Sequence, residues 1–361
     1  MKSYINKIRS PVKREGAAKY LRITLVSFAI SVIFTRIFLQ ATGFPQLGGP
    51  NGHIAHVLFG GLMLFVSSLL PLIFSNRSVL VISSIISGVG VGLFIDEVGK
   101  FLTVNNDYFY PPAMPIIYAF FLLVVLIYIQ VKRIILPDPR TELYRALDSL
   151  QEVLDYDLDN QELARLRDRL QKVSDQDYYP ALSDLAKSLN AYLKAEAQVV
   201  PQHKGFIEKS IVKLAEIEER IFTRRILKII LIVGFSVFGI VSFFDLVTAF
   251  LAFLSPDYLF RLVSTLVSQG RIISDAAVSW FLVRLVLQGI VGLLLLLAAV
   301  FLARGFERRA VNFGYFGILV SLTTVNLLVF YFDQFKAIYG TIAQILLLLV
   351  VVTYRRRFFY S

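Results

Sequence analysis

The sequence predicts an all-α polytopic membrane protein with eight transmembrane helices, four on each side of a cytoplasmic helical insert. Its 361 residues are 56% hydrophobic and only 17% charged, a composition that excludes a water-soluble globular enzyme. Eight apolar stretches are long enough to cross about 30 Å of hydrocarbon, which takes about 20 helical residues. One long charged segment interrupts them and divides the membrane part into two units.

The predicted segments follow one another along the chain. A basic N-terminus (residues 1–22) precedes the first membrane unit (23–136), and a basic tail (355–361) follows the second (226–354). The four spans of the first unit are predicted at residues 23–39, 54–74, 79–95 and 113–131. The four spans of the second unit are predicted at residues 226–254, 276–303, 313–332 and 337–353.

The basic residues predict the orientation in the membrane. Lys and Arg accumulate in short loops on the cytoplasmic side. A cytoplasmic N-terminus gives seventeen of them to the inner rims and four to the outer rims. We therefore expect both termini in the cytoplasm, in a bacterial inner membrane. The formal charge of +11 then reflects topology and contact with membrane lipids, including anionic headgroups at the inner rim, and implies no nucleic-acid partner.

The insert at residues 137–225 contains 14 basic and 17 acidic residues and shows helical periodicity. Asp159 and Asn160 predict a helix start inside it. Four apolar faces are expected: Leu143, Leu147, Leu150 and Leu154; Leu163, Leu166 and Leu170; Leu182, Leu185, Leu189 and Tyr192; and Ile207, Ile211, Leu214 and Ile217. These faces predict a small bundle, which either connects the membrane units or has a regulatory or oligomerising role.

The two membrane units share a weak repeat. The third predicted span ends in Asp96, Glu97 and Lys100, and the seventh ends similarly in Asp333 and Lys336. The second and sixth spans also share a glycine followed by an apolar run. This pattern favours a parallel duplication of a four-helix unit.

Charged residues within the spans are the candidates for function, because an ionisable side chain in hydrocarbon usually faces a partner or a cavity. They are Arg36, His56, Asp96, Glu97, Asp245 and Arg284. Counting residues from the inner basic anchors places five of them, all but Arg36, about 30 Å from the inner face at a rise of about 1.5 Å per residue. They are therefore predicted to share a layer near the outer boundary.

The second and third spans are joined by a short turn, so they are antiparallel neighbours, and His56 is expected to meet Asp96 or Glu97. With His53 one turn away, His53, His56 and Asp96 provide ligands suited to Zn, Mn or Fe, and Glu97 is placed as a general base. Without a metal, the same groups form a proton relay or cation site, influenced by Arg36, Lys100 and Asp107. A third interpretation is a structural cap in which Asp96 pairs with Lys100, and Arg36 is the alternative partner for Asp96 or Glu97.

Two further features lie in the second unit. Asp245 and Arg284 occupy matching depths and are predicted to form an intramembrane salt bridge, with an anion or headgroup site at Arg284 as the alternative. Ser255, Pro256 and Asp257 predict the start of an amphipathic helix on the outer surface. The chain has no cysteine, which excludes disulfides and thiolate chemistry.

Three motifs carry a resemblance to a known family. They are a helix that opens with His56 and has Gly60 four residues later, a Gly-rich helix that ends in Asp96 and Glu97, and the aromatic acidic loop at residues 106–110. In these residues the chain resembles a family of uncharacterised bacterial multi-pass membrane proteins, over roughly residues 50 to 112. It differs in having Ala55 where family members have a second, adjacent histidine. The resemblance implies that His56, Asp96 and Glu97 act as a unit.

Three classes of function are open at this stage. An ion- or proton-coupled transporter agrees best with the repeat and the layer of charges. A membrane-embedded, metal-dependent hydrolase of a lipid or lipid-linked substrate is the alternative. The third is a structural or signalling membrane protein that acts through its cytoplasmic helices.

Overall fold

The computed structural model describes residues 11–43, 55–105, 107–108, 110–133, 138–154, 158–175, 180–196, 223–268 and 275–359. Every regular secondary-structure element within these ranges is a helix, and none is a strand. The prediction of an all-α polytopic membrane protein is confirmed, since eight helices have the length and composition to cross a membrane.

The spanning helices agree with the predicted segments within a few residues at most ends. In the first half they are α1 (Ala17–Thr42), α2 (His56–Ile73), α3 (Arg77–Asp96) and α5 (Ala113–Lys132), and the short α4 (Val98–Leu102) follows α3. In the second half they are α9 (Arg224–Leu254), α11 (Asp275–Ala303) and α14 (Ala337–Phe358), together with α12 (Glu307–Val320) and α13 (Asn326–Asp333), which form one span (Glu307–Asp333). The largest differences are α1 and α12, which begin six residues earlier than predicted.

The insert forms three described helices, α6 (Pro139–Leu154), α7 (Asn160–Ser174) and α8 (Pro180–Glu196). Asp159 caps α7 in a reciprocal capping box with Glu162, as its sequence position predicts. The predicted face of α7 is buried. The other two described faces are confirmed in part, since Leu143, Leu150, Leu182 and Leu189 pack in the core of the insert. Their remaining members, Leu147, Leu154, Leu185 and Tyr192, are exposed, and Ala146 and Ala186 are buried instead. The helix predicted at residues 207–217 lies outside the described residues.

The chain divides into two compact units, and the first four spanning helices contribute to both. The first unit combines described parts of residues 1–32, 58–94 and 124–211. In it, α1 and α3 meet at Gly88, where a Cβ would clash with the carbonyl oxygen of Thr24. Arg77, the first residue of α3, forms ion pairs with Asp148 and Glu152 of α6, so the insert is bound to the end of a spanning helix.

The second unit combines described parts of residues 33–57, 95–123 and 212–361. Its apolar core is built from α9, α11, α12 and α14, with side chains such as Phe235, Leu302 and Val351 buried in it. Close approach again depends on glycine, because a Cβ at Gly292 would lie 2.9 Å from the carbonyl oxygen of Gly239. This part of the unit is therefore tightly packed.

The seventh spanning helix is interrupted by a π-helical turn at Ser321–Val325. Next to this turn, the hydroxyl of Tyr118 on α5 donates a 2.5 Å hydrogen bond to the carbonyl oxygen of Leu322. Asn326, the first residue after the turn, donates to Thr341 at 3.1 Å and to Gln344 at 2.9 Å. The apolar pattern of this span does not predict the change in helical period.

The amphipathic helix predicted after Ser255 is present as α10 (Pro256–Ser268). Its start is capped by the hydroxyl of Ser255, which accepts a hydrogen bond of 3.4 Å from the backbone of Tyr258. Leu266 on its apolar face is buried against Phe281 and Ala249. The apolar face therefore packs on the spanning helices of its own unit.

Candidate functional site

The predicted site residues meet where three spanning helices end or begin. Arg36 lies in the C-terminal part of α1, His56 is the first residue of α2, and Asp96 is the last residue of α3. Glu97 follows in the bend between α3 and α4. Arg36 is 4% exposed, and Asp96 and Glu97 are each 1% exposed, so the site is a buried charged cluster. All of these residues belong to the second unit.

The imidazole of His56 lies between the two carboxylates. Its Nδ1 is 2.8 Å from Glu97 Oε1, and its Nε2 is 3.2 Å from Asp96 Oδ2. The backbone N–H of His56 also donates to Glu97 Oε1 at 3.2 Å. Glu97 therefore sits at the N-terminus of α2, where unpaired amides and the helix dipole favour a negative charge.

Asp96 contacts three side chains, those of His56, Arg36 and Tyr108. The guanidinium of Arg36 binds it through Nε, and Nη2 of Arg36 donates to the backbone carbonyl of Asp96 at 2.9 Å. The hydroxyl of Tyr108 donates to Asp96 Oδ2 at 2.7 Å. The ring of Tyr108 also lies 4.2 Å from the guanidinium carbon of Arg36, a cation–π contact. Burial and the charge of Asp96 raise the pKa of Tyr108, so this hydroxyl keeps its proton and remains a donor.

The partner of Lys100 differs from the prediction. Its Nζ is 3.1 Å from Glu97 Oε1, so the expected pair with Asp96 was wrong. The reason is that α3 stops at Asp96 and the chain bends at Glu97, while Asp96 is already bound by Arg36. Burial alone would raise the pKa of Glu97, but hydrogen bonds and charges from His56 and Lys100 lower it below its ordinary value.

The loop after α4 brings Tyr108 to the cluster. A Cβ at Gly99 would lie 2.8 Å from the carbonyl oxygen of Asp107, so only glycine lets the loop approach this closely. The side chain of Asp107 lies on the exposed side of the loop, and its backbone N–H donates to the Thr103 hydroxyl at 2.6 Å. His53 lies outside the described residues.

The described members of the predicted Zn, Mn or Fe site, His56 and Asp96, are arranged for ion pairs and hydrogen bonds, while His53 lies outside the described residues. A metal-bound imidazole offers a ring nitrogen with a free lone pair, but both ring nitrogens of His56 face carboxylate oxygens. Those carboxylates are also held by Arg36, Lys100 and Tyr108. Across the ranges that the structure describes, no group of three or more His, Asp and Glu side chains is arranged to hold a metal ion.

A second charged pair lies in the same unit. Arg284 Nη2 is 2.7 Å from Asp333 Oδ2, and its Nε is 3.3 Å from Gln288 Oε1. Within the described ranges the ion pair predicted between Arg284 and Asp245 is not formed, although the charge of Arg284 does act on Asp245. Asp333 takes this place because the seventh spanning helix ends beside α11.

Two important residues were not among the predicted site residues. The sequence shows Tyr108 only as part of an aromatic loop, although a tyrosine hydroxyl beside a buried acid is a natural hydrogen-bond donor to that acid. Asp333 was noted only as the counterpart of Asp96 in the repeat. In both cases the sequence motif contains the residue, but it does not show which helix or loop lies opposite that residue in the fold.

Comparison of the chain with protein families, with curated proteins and with solved structures gave no match. The resemblance carried by residues 50 to 112 therefore stays a prediction. What the structure does establish is a polytopic helical membrane protein with a buried cluster of two acids, two bases and one imidazole.

Proposed function

We propose that this protein is a proton-coupled membrane carrier and that His56, between Asp96 and Glu97, is its proton site. The observation that supports this most strongly is the contact of both imidazole nitrogens with carboxylate oxygens. A neutral imidazole has one N–H and one lone pair, so it satisfies only one of these contacts. The imidazolium form donates to both carboxylates.

Charge balance supports the same proposal. Arg36 and Lys100 offset the charges of Asp96 and Glu97, so the protonation state of His56 sets the net charge of a buried cluster. Glu97 Oε2 is buried and lacks a hydrogen-bond partner among the residues described, so it is placed to accept a proton or a donor group. Histidine is the side chain whose ordinary pKa lies nearest physiological pH, which suits it to such a switch.

The residues that contact His56 and Asp96 lie at the ends of different helices, so protonation of His56 is coupled to those helices. Loss of the His56 proton places a nitrogen lone pair against a carboxylate and weakens one contact. That contact joins the start of α2 to the end of α3, while Arg36 and Tyr108 join α1 and the following loop to the same acid. Protonation is therefore expected to shift the relative positions of these helix ends.

The second membrane half supports a carrier rather than a passive anchor. Its seventh spanning helix is interrupted by a π-turn beside the polar residues Asn326, Thr341 and Tyr118, and interrupted spans are frequent at binding sites of carriers. The apolar core around Phe235 and Leu302 is closely packed. Transport therefore requires a second conformation in which this core opens. We place the His56 cluster on the external side of a bacterial inner membrane.

The experiment is a pH step applied to proteoliposomes on a solid-supported membrane. Proton binding at His56 is expected to give a transient current that His56→Ala abolishes. The control variant His203→Ala, which changes a histidine of the insert sequence, is expected to retain it. Identical transients in the wild type and His56→Ala would contradict the proton site. A transient without substrate-dependent steady current over a panel of ions, amino acids and organic cations would leave a proton site and reject the carrier.

A second candidate is a signalling protein that acts through the insert. The ion pairs of Arg77 with Asp148 and Glu152 favour it, because they bind the insert to the first residue of a spanning helix. Glu15, just before α1, likewise pairs with Arg145 and Arg169 of the insert. Deletion of residues 139–202 distinguishes the two functions, since a carrier whose insert is only a connector keeps its proton transient.

A further inference from the structure

The first unit contains a hydroxyl-lined cavity within its spanning helices. It has a volume of about 460 Å³, within the range of small-molecule sites, and is lined by residues of α1, α2 and α3. Seven of its lining residues carry hydroxyl groups. None of them belongs to the His56 cluster.

Most of these hydroxyl groups donate their single proton to a backbone carbonyl oxygen. The donors and their backbone acceptors are Thr24 to Ser84 at 3.2 Å, Ser67 to Leu64 at 2.8 Å, Ser68 to Phe65 at 2.7 Å, Ser83 to Ser67 at 2.7 Å, and Ser84 to Leu80 at 2.6 Å. A hydroxyl that donates its proton still has lone pairs that accept. Tyr20 and Ser87 carry the other two hydroxyl groups of the lining. The cavity is therefore rich in acceptors and suits a ligand that carries several N–H donors.

The surroundings of the cavity indicate where such a ligand comes from. The apolar side chains beside it on α2 and α3, Phe65, Ile82 and Ile85, are exposed, as expected of a surface that faces lipid. The lining contains no carboxylate to offset a free cation, and burying an unpaired charge is costly. A zwitterionic headgroup carries its own phosphate, which offsets the charge of its ammonium group.

We infer that this cavity binds the primary ammonium group of a membrane phospholipid. The three N–H donors of the ammonium match the acceptor-rich lining. A quaternary ammonium headgroup has the same charge and no N–H donor, so it is not expected to bind here. This inference is independent of the proposed proton coupling, because it concerns other residues and another ligand.

The test compares the full-length protein in nanodiscs of ethanolamine phospholipid with nanodiscs of choline phospholipid, each with the same anionic fraction. Lipid retention is measured by native mass spectrometry and thermal unfolding by light scattering. We expect the wild type to retain the ethanolamine lipid about tenfold more strongly, as loss of a few hydrogen bonds would predict. The variant Ser67→Ala with Ser84→Ala is expected to lose this preference, and Ser188→Ala on the exposed surface of the insert to keep it.

Two results would overturn the inference. One is equal retention of the two lipids by the wild type, and the other is a preference that survives in the double variant although it unfolds at the wild-type temperature. A third arm adds ethylamine or tetramethylammonium to choline nanodiscs. Stabilisation by ethylamine without any lipid preference would assign the site to a soluble amine and reject the lipid headgroup.

Discussion

The end of α3 and the end of α13 have similar sequences but different chemistry. Both finish in an acid followed by a lysine, and each acid binds an arginine from another spanning helix. At the end of α3, two acids at 1% exposure share an imidazole. At the end of α13, Asp333 pairs with Arg284, and its side chain is 17% exposed. The neighbouring helices, rather than the local motif, therefore decide whether the acid joins a buried cluster or a more exposed ion pair.

The connection after each helix accounts for part of this difference. After α3, the short α4 and a loop held against Gly99 return Tyr108 to the carboxylate. After α13, the chain turns at once into α14 through Gln334, whose φ of 45° is left-handed. Only the longer connection has room to supply an additional donor and to cover the cluster.

The largest expected effect comes from removing the arginine at each end. Arg36→Ala leaves Asp96 buried without its main counter-charge, and breaking one partner of a buried pair costs about 3–5 kcal/mol. Arg284→Ala is expected to cost less, because Asp333 is more exposed. Reversible unfolding in mixed micelles measures both free energies. Equal losses for the two variants would show that the two ends are energetically equivalent.

Gly99 tests the contribution of the longer connection. Gly99→Ala forces a Cβ into the backbone of Asp107, and overpacking of this kind typically costs about 1–3 kcal/mol. Gly340→Ala is the matched control in the second half, since nothing lies within 4 Å of a Cβ there. The same unfolding measurement should rank Gly99→Ala well below the control in stability. A neutral Gly99→Ala would mean that the loop is not held where Tyr108 needs it.

The smallest expected effect is a pH dependence that Glu97 contributes and that Glu97→Gln removes. Because the pKa of Glu97 is lowered in the folded protein, its stabilisation is present above the unfolded value of about 4.3 and is lost as the pH falls through the folded value. The difference in unfolding free energy between wild type and variant should therefore shrink in acid. A difference that stays constant from neutral to acid pH would contradict the ion pairs assigned to Glu97.

Much of the fold was predictable because it depends on composition. The eight spans follow from apolar length, and the cap at Asp159 follows from a local hydrogen bond. The contact of His56 with Asp96 and Glu97 was expected because a short turn makes α2 and α3 antiparallel neighbours. The choice between Lys100 and Arg36 as partner of Asp96 was not predictable, since sequence spacing cannot show where α3 stops.

By itself, the sequence determined how many helices cross the membrane and which of their ends carry charge, because burial of apolar length in lipid acts on each segment separately. Only the tertiary structure decided that Arg284 binds Asp333 rather than Asp245, that Ala186 rather than Leu185 faces the insert core, and that both nitrogens of His56 face acids. Such pairings depend on helix rotation and on close approach at glycine. Both are set by packing between segments that are distant in the chain.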